Sequence, residues 1–533
     1  MALLAGFLDV LLRGVGLIAL CAAVGGLAYA VVVLRVLAPG PPPAWATDAL
    51  RRLLGLIARG AAVLAVSRAV VLLILHPWVL ADAAGRWPVG EFVATSFGQA
   101  SVVGIALVVA LAAAAARLRP RPEHRAGWLL ALALGLAILV NSAWLAHAVS
   151  RLQDRAALMT VTVLHQAGAV LWLGGLMHLA RSWRTPLPPA ALGRFSATAM
   201  VGVGFIVAPG LGLAVGYVGD WGALVGTGYG VMVLTKVALM VSVLTLGGLN
   251  YLLIRRMIRA AEAGTSPARV RPLVEAEVGI GITILFAAAS LTSLPPAVDV
   301  VADRATPAEV AARFAPKLPR LSSPPVDALL AAAAPIEDTL STRQPEEYAW
   351  SEYNHHMAGL FVFSMGFLAL LERTGRARWA RHWPLLLLGL AAFMFVRNDP
   401  RAWPLGPAGF WESMVLPDVL QHRLVVLLVV GLGLFEWLVR IGVLARPGWR
   451  LVFPVLCAVG GGLLLTHSHA MFNLKGEFLA EVSHAPMGIL GVFMGWGRWL
   501  ELRLPGGEGV LPGWVWSISL FLIGGILLVY RET

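Results

Sequence analysis

Long apolar stretches separated by short polar ones recur along the whole chain. Windows of about twenty apolar residues, the length that crosses a bilayer as a helix, define the spans. They fall at 11–36, 52–75, 92–116, 127–149, 158–180, 194–218, 229–254, 273–294, 351–371, 383–397, 418–439, 451–469, 478–498 and 512–530. The pattern predicts an all-α polytopic transmembrane bundle of about 14 spans. The tenth span is the shortest. One polar break, 297–350, is much longer than the rest. It holds eight acidic and five basic residues and is rich in Pro and Ala, which predicts an acidic extracytoplasmic loop with one or two short helices. This break divides the chain into an eight-span domain, 1–296, and a six-span domain, 351–533.

Charge orients these spans. Arginines crowd alternate loops: Arg117 to Arg125, Arg181 to Arg194, Arg255 to Arg271, Arg373 to Arg381 and Arg440 to Arg450. The loops between them are weakly charged or acidic. Under the positive-inside rule the basic loops face the cytoplasm and both termini face outward. The net charge of +12 is therefore a topological signal and predicts no nucleic-acid partner. With 59% hydrophobic and 13% charged residues and a mean hydropathy of +0.79, the chain is no soluble globular protein. Cys21 and Cys457 both lie inside apolar spans and predict packing, not a disulfide or thiolate site. Met1–Leu12 lacks the basic start of a cleavable signal, so the first span is expected to be retained.

The topology gives the histidines of the last third a common side. His355 and His356 open the ninth span, His422 opens the eleventh, His467 and His469 end the twelfth, and His484 lies about two turns into the thirteenth. All six are expected in the outer third of the bundle. Imidazole is costly in lipid and is a common metal ligand, so this grouping predicts a metal site. Glu352, Asp418 and Glu481 stand three or four residues before these histidines, where carboxylates orient ligating imidazoles. Met487 follows His484 by three and offers a thioether suited to copper. The first half brings His147 and His165 to the same side. His165 lies two turns inside its span, a depth that demands a partner or a use.

Around His165 the chain reads Val-Leu-His165-Gln-Ala-Gly-Ala-Val-Leu-Trp172-Leu-Gly174-Gly175-Leu. Further on come Thr235-Lys236 leading to Asn250, and Glu275-Ala-Glu277 leading to Leu291-Thr-Ser-Leu-Pro295-Pro296. As an ordered set over roughly 130–300 these segments resemble the CopD family of bacterial copper resistance membrane proteins. The resemblance implies a multi-pass inner-membrane protein that binds copper and transports or delivers it between periplasm and cytoplasm. By the same resemblance His165 matches the histidine of the signature helix, and a periplasmic copper-binding protein is an implied partner beside the lipid. The chain departs from a copper-rich pattern in having no Met-x-x-Met cluster.

Two other functions fit parts of the pattern. His165 and His178 are thirteen apart, the spacing that stacks two b-type haems across a bilayer in membrane electron-transfer proteins of the cytochrome b kind. No second helix carries the matching pair, so the haem alternative is a single outer haem between two of His356, His422, His467 and His484. The second half, with its Trp-rich loops, is also similar in architecture to a cytochrome oxidase copper-assembly module. No GxSxG, HExxH or P-loop occurs, so no hydrolase is expected, and any copper movement is passive or driven by protons or potential.

Overall fold

The computed structural model describes residues 2–38, 44–151, 154–182, 188–259, 269–332, 344–397, 399–415, 417–466 and 474–532. Among them no strand forms, and fourteen helices are long and apolar enough to cross a membrane. In chain order they are α1 (Ala5–Val33), α2 (Ala46–Ala81), α3 (Ser96–Leu118), α4 (Arg125–Ala143), α5 (Arg155–Ser182), α6 (Ala190–Tyr217) and α7 (Gly228–Arg256). They continue as α8 (Val270–Leu291), α9 (Pro345–Arg373), α10 (Arg378–Arg397), α11 (His422–Arg440), α12 (Pro447–Thr466), α13 (Lys475–Arg503) and α14 (Gly506–Leu528).

Three helices differ from the sequence pattern for local reasons. Helix α2 runs past the expected end at residue 75, and helix continues through His76 and Pro77. Pro77 has no N–H for the carbonyl of Leu73. A wide π turn at Val71–Leu75 precedes it, and the Trp87 indole donates to that Leu73 carbonyl at 3.4 Å. Helix α10 is longer than its apolar window because it opens with tight 3-10 turns over Arg378–Leu385, where Pro384 sits, before continuing as Leu386–Arg397. Within α13 the helix breaks between Glu481 and His484. His484 therefore starts a new helical segment instead of lying two turns into a continuous one.

The chain folds as two compact units, the first over Met1–Ala302 and the second carried by Asp303–Leu465 and His469–Thr533. In the first unit α1 is central and packs against α2, α4, α5 and α8. Its approach to α5 is backbone to backbone: a Cβ on Gly25 would lie 2.6 Å from the Gly174 Cα. In the second unit α14 packs between α9 and α13, and α10 packs between α9 and α11. Met365, Trp383, Phe453, Cys457 and Trp516 form its core. One buried charge there is paired twice: Arg440 holds Glu436 and Glu372 at 2.7 and 2.6 Å and lies over the Trp383 ring.

Helices α9 and α14 touch through three glycines, Gly359, Gly366 and Gly524. A Cβ on Gly366 would meet the Phe521 Cα at 2.4 Å, and one on Gly524 would meet backbone at Phe363. Gly524→Leu is expected to force the pair apart and cost about 1–3 kcal/mol, read as a lower Tm of the full chain in detergent.

Candidate functional site

In the first unit His165 lies on α5 and faces α6. Its Nδ1 donates to the Ile206 carbonyl at 2.9 Å. The sequence of α6 explains why that contact forms. Pro209 sits inside the helix; it withholds its N–H from the Phe205 carbonyl, next to Ile206, and loosens that turn. Gly210 then leaves room for the ring, since a Cβ there would stand 3.2 Å from the His165 Cε1. With Nδ1 donating, a neutral imidazole keeps its lone pair on Nε2. Lys236 of α7 lies within electrostatic reach of the same ring. Beside it, Gln166 hydrogen-bonds Ser142 of α4.

The other histidines of this unit are each held by a different partner. His178 bonds the Ala22 carbonyl of α1 at 2.8 Å and stacks on Tyr29. His147 does not end a long fourth span. It begins a short 3-10 turn after α4 and bonds the Leu291 carbonyl, at the end of α8, at 3.2 Å. His76 lies 3.5 Å from Asp9 and packs against Phe92 and Phe97. The haem reading finds no support in this arrangement. The cleft beside His178 is lined by Ala49, Arg52, Leu53, Arg181 and Ser182.

The two acidic residues of α8 part company. Glu275 pairs with Arg271 at 2.9 Å. Two positions further, some 200° around the helix, Glu277 is 3% exposed and hydrogen-bonds Asn250 of α7. Sequence spacing alone does not separate these roles, because both residues sit near the same helix end.

In the second unit the paired histidines build a polar lock. His356 is 0% exposed. Its Nδ1 accepts the Arg320 backbone N–H at 2.7 Å, and its Nε2 donates to the Tyr530 carbonyl at 2.8 Å. As placed, neither nitrogen has a lone pair left for a metal. Glu352, one turn earlier and 1% exposed, accepts from Lys317 Nζ and from the Glu532 backbone N–H, both at 3.2 Å, with Arg320 at 3.7 Å. It thus ties down the 303–332 segment and the C-terminal tail; the role expected from sequence was to orient an imidazole. His355 bonds the Ser351 carbonyl at 2.9 Å and stacks on Tyr530 at 3.9 Å between ring centres. The Tyr530 hydroxyl reaches the Ala480 carbonyl at 2.9 Å, four residues before His484.

The remaining expected ligands are scattered in kind. His422 is exposed on α11, while its neighbour Arg423 turns inward over Phe395. Met487 is buried, Glu481 ends the Leu474–Glu481 helix, and His484 is half-buried. His467, His469 and the side chain of Asp418 lie outside the described residues. Among the described residues no three His, Cys, Asp or Glu side chains stand close enough to hold one metal ion.

The loop of this unit carries its own pH-sensitive contact. Lys475 Nζ sits 2.8 Å from Glu309 and, with the N–H and hydroxyl of Thr306, holds that carboxyl down to about 2. The folded value is depressed, so the contact stabilises fully above the ordinary glutamate value of 4.5 and is lost as pH falls towards about 2. Hydrogen-exchange protection of the Pro307–Arg313 helix, corrected for the intrinsic pH dependence of exchange, is expected to be full at about pH 5 and to fall as pH drops towards about 2. In Glu309→Gln that dependence should vanish.

Comparison with known proteins finds copper-related matches. A copper transport protein CutJ of Bacillus subtilis (strain 168) is 31% identical over 175 residues, which cover 32% of this chain and 31% of the relative. The chain thus spans about a third of the length of that curated relative. No solved structure matches the chain. The residues 189–291, which build α6, α7 and α8 around the Ile206 carbonyl and the Asn250–Glu277 pair, match the family described as copper resistance protein D.

Proposed function

We propose that this chain binds copper ions and transports or delivers them across the bacterial inner membrane, with His165 on the copper path. Similarity to copper resistance protein D and to a protein named for copper transport supports the metal and the class. The observation that carries the residue is the geometry at α5 and α6. His165 is anchored through Nδ1 to the matched helix and keeps Nε2 for a ligand. Imidazole nitrogen is a good copper ligand, and a second-nitrogen hydrogen bond to a carbonyl is the usual way to orient it.

In this reading the second unit meets copper at its own outer face. Acidic Glu346 and Glu347 at the start of α9 attract a cation. His355, His422, His484 and Met487 supply weak, separate ligands, suited to passing copper on. A periplasmic copper-binding protein is the expected donor or acceptor. Metal analysis and an absorption spectrum of the purified full chain test the reading. Copper bound at about one ion per chain, without a haem band, is expected; a haem band with no copper would replace copper handling by electron transfer.

A further inference from the structure

The copper path leaves one buried acid of the first unit unused. Glu277 lies on α8 about 10 Å from the helix start, below the arginine-rich loop. One carboxyl oxygen meets Asn250 Nδ2. The other faces Gly247, where a Cβ would stand 3.4 Å away, so the missing side chain gives the carboxyl its space. The Asn250 Oδ1 is buried and has no hydrogen-bond partner.

No cation neutralises this acid among the described residues. Helix α8 packs against α7, α1 and α5. Their charged and titratable groups are Tyr229, Lys236, Tyr251, Arg255 and Arg256 on α7, Asp9, Arg13, Cys21 and Tyr29 on α1, and Arg155, His165, His178 and Arg181 on α5. None of them reaches Glu277, whose polar partner is Asn250. On its own helix Arg271 is taken by Glu275.

The amide partner has a chemical consequence. A lysine or arginine beside a buried carboxylate fixes it in the charged form. An asparagine serves both forms: a carboxylate accepts from its Nδ2, and a carboxylic acid donates to its Oδ1. We propose that Glu277 and Asn250 form a proton-binding site inside the membrane-spanning part of the first unit. One proton leaves a water on the basic-loop side and forms the O–H bond of Glu277; release returns it to water. Asn250 satisfies the carboxyl before and after. Its use rests on the transport reading above: a proton taken up as a copper ion leaves offsets the charge carried through lipid.

The test is infrared difference spectroscopy of the full chain in lipid nanodiscs, copper-free, as pH is stepped. A carboxylic-acid carbonyl band that converts to carboxylate is expected in the wild type and absent in Glu277→Gln. Asn250→Ala should keep the band and shift its proton affinity at least tenfold, which reads the site even where Glu277→Gln folds poorly. Identical acid bands in wild type and Glu277→Gln, or no shift in Asn250→Ala, would overturn the inference. Copper flux is read separately. A wild type that moves no copper sinks the transport reading and leaves the band in place. Copper flux without the band sinks this site alone.

Discussion

His356→Ala is expected to destabilise the second unit by about 3–5 kcal/mol. The ring is 0% exposed and makes two hydrogen bonds, so its loss strands the Arg320 N–H and the Tyr530 carbonyl. Each stranded group costs roughly 1–3 kcal/mol, and the vacated volume adds to the cost. The effect should appear as a lower Tm and as fast hydrogen exchange at the Arg320 amide, which loses its acceptor. His355→Ala removes a ring stack on Tyr530 and should cost only about 1 kcal/mol. Copper bound per folded chain should be the same in His356→Ala as in the wild type. A proportional loss of copper would make His356 a ligand and the lock secondary.

The second large effect concerns His165. His165→Ala is expected to lower copper flux at least tenfold. The substitution also leaves the Ile206 carbonyl without the imidazole N–H, at a cost of about 1–3 kcal/mol. A loss of flux alone therefore does not separate chemistry from packing. His165→Asn does: its amide N–H can still reach the carbonyl, but it offers no imidazole nitrogen. It should melt near the wild type and still fail to move copper. Recovery of flux in His165→Asn would show that the ring serves only to hold α5 against α6.

How far the sequence reaches depends on what each signal measures. Apolar length is a property of a single segment, so the fourteen spans are legible without the structure. In two of the three helices where they misled, a proline was the cause or the marker: Pro77 after the π turn of α2 and Pro384 in the opening turns of α10. Depth is legible too, and it singles out His165. Direction is not. His355 and His356 are neighbours, yet one stacks on an aromatic ring and the other bridges two backbone segments 210 residues apart. That difference depends on where residues 320 and 530 arrive, which no local pattern encodes. The same holds for Glu275 and Glu277, which only the packing of α7 on α8 tells apart. Pro209-Gly210 is the one signal that sequence reasoning could have used and did not: a proline followed by glycine in a span marks a loosened turn with room beside it.

The central claim is that copper passes through the first unit by way of His165. The most direct measurement is copper accumulation in proteoliposomes carrying the full chain, the His165→Asn variant, or no protein. Copper should enter with the wild type, and the variant, folded and inserted equally well, should match empty vesicles. Equal accumulation with wild type and His165→Asn would contradict the account.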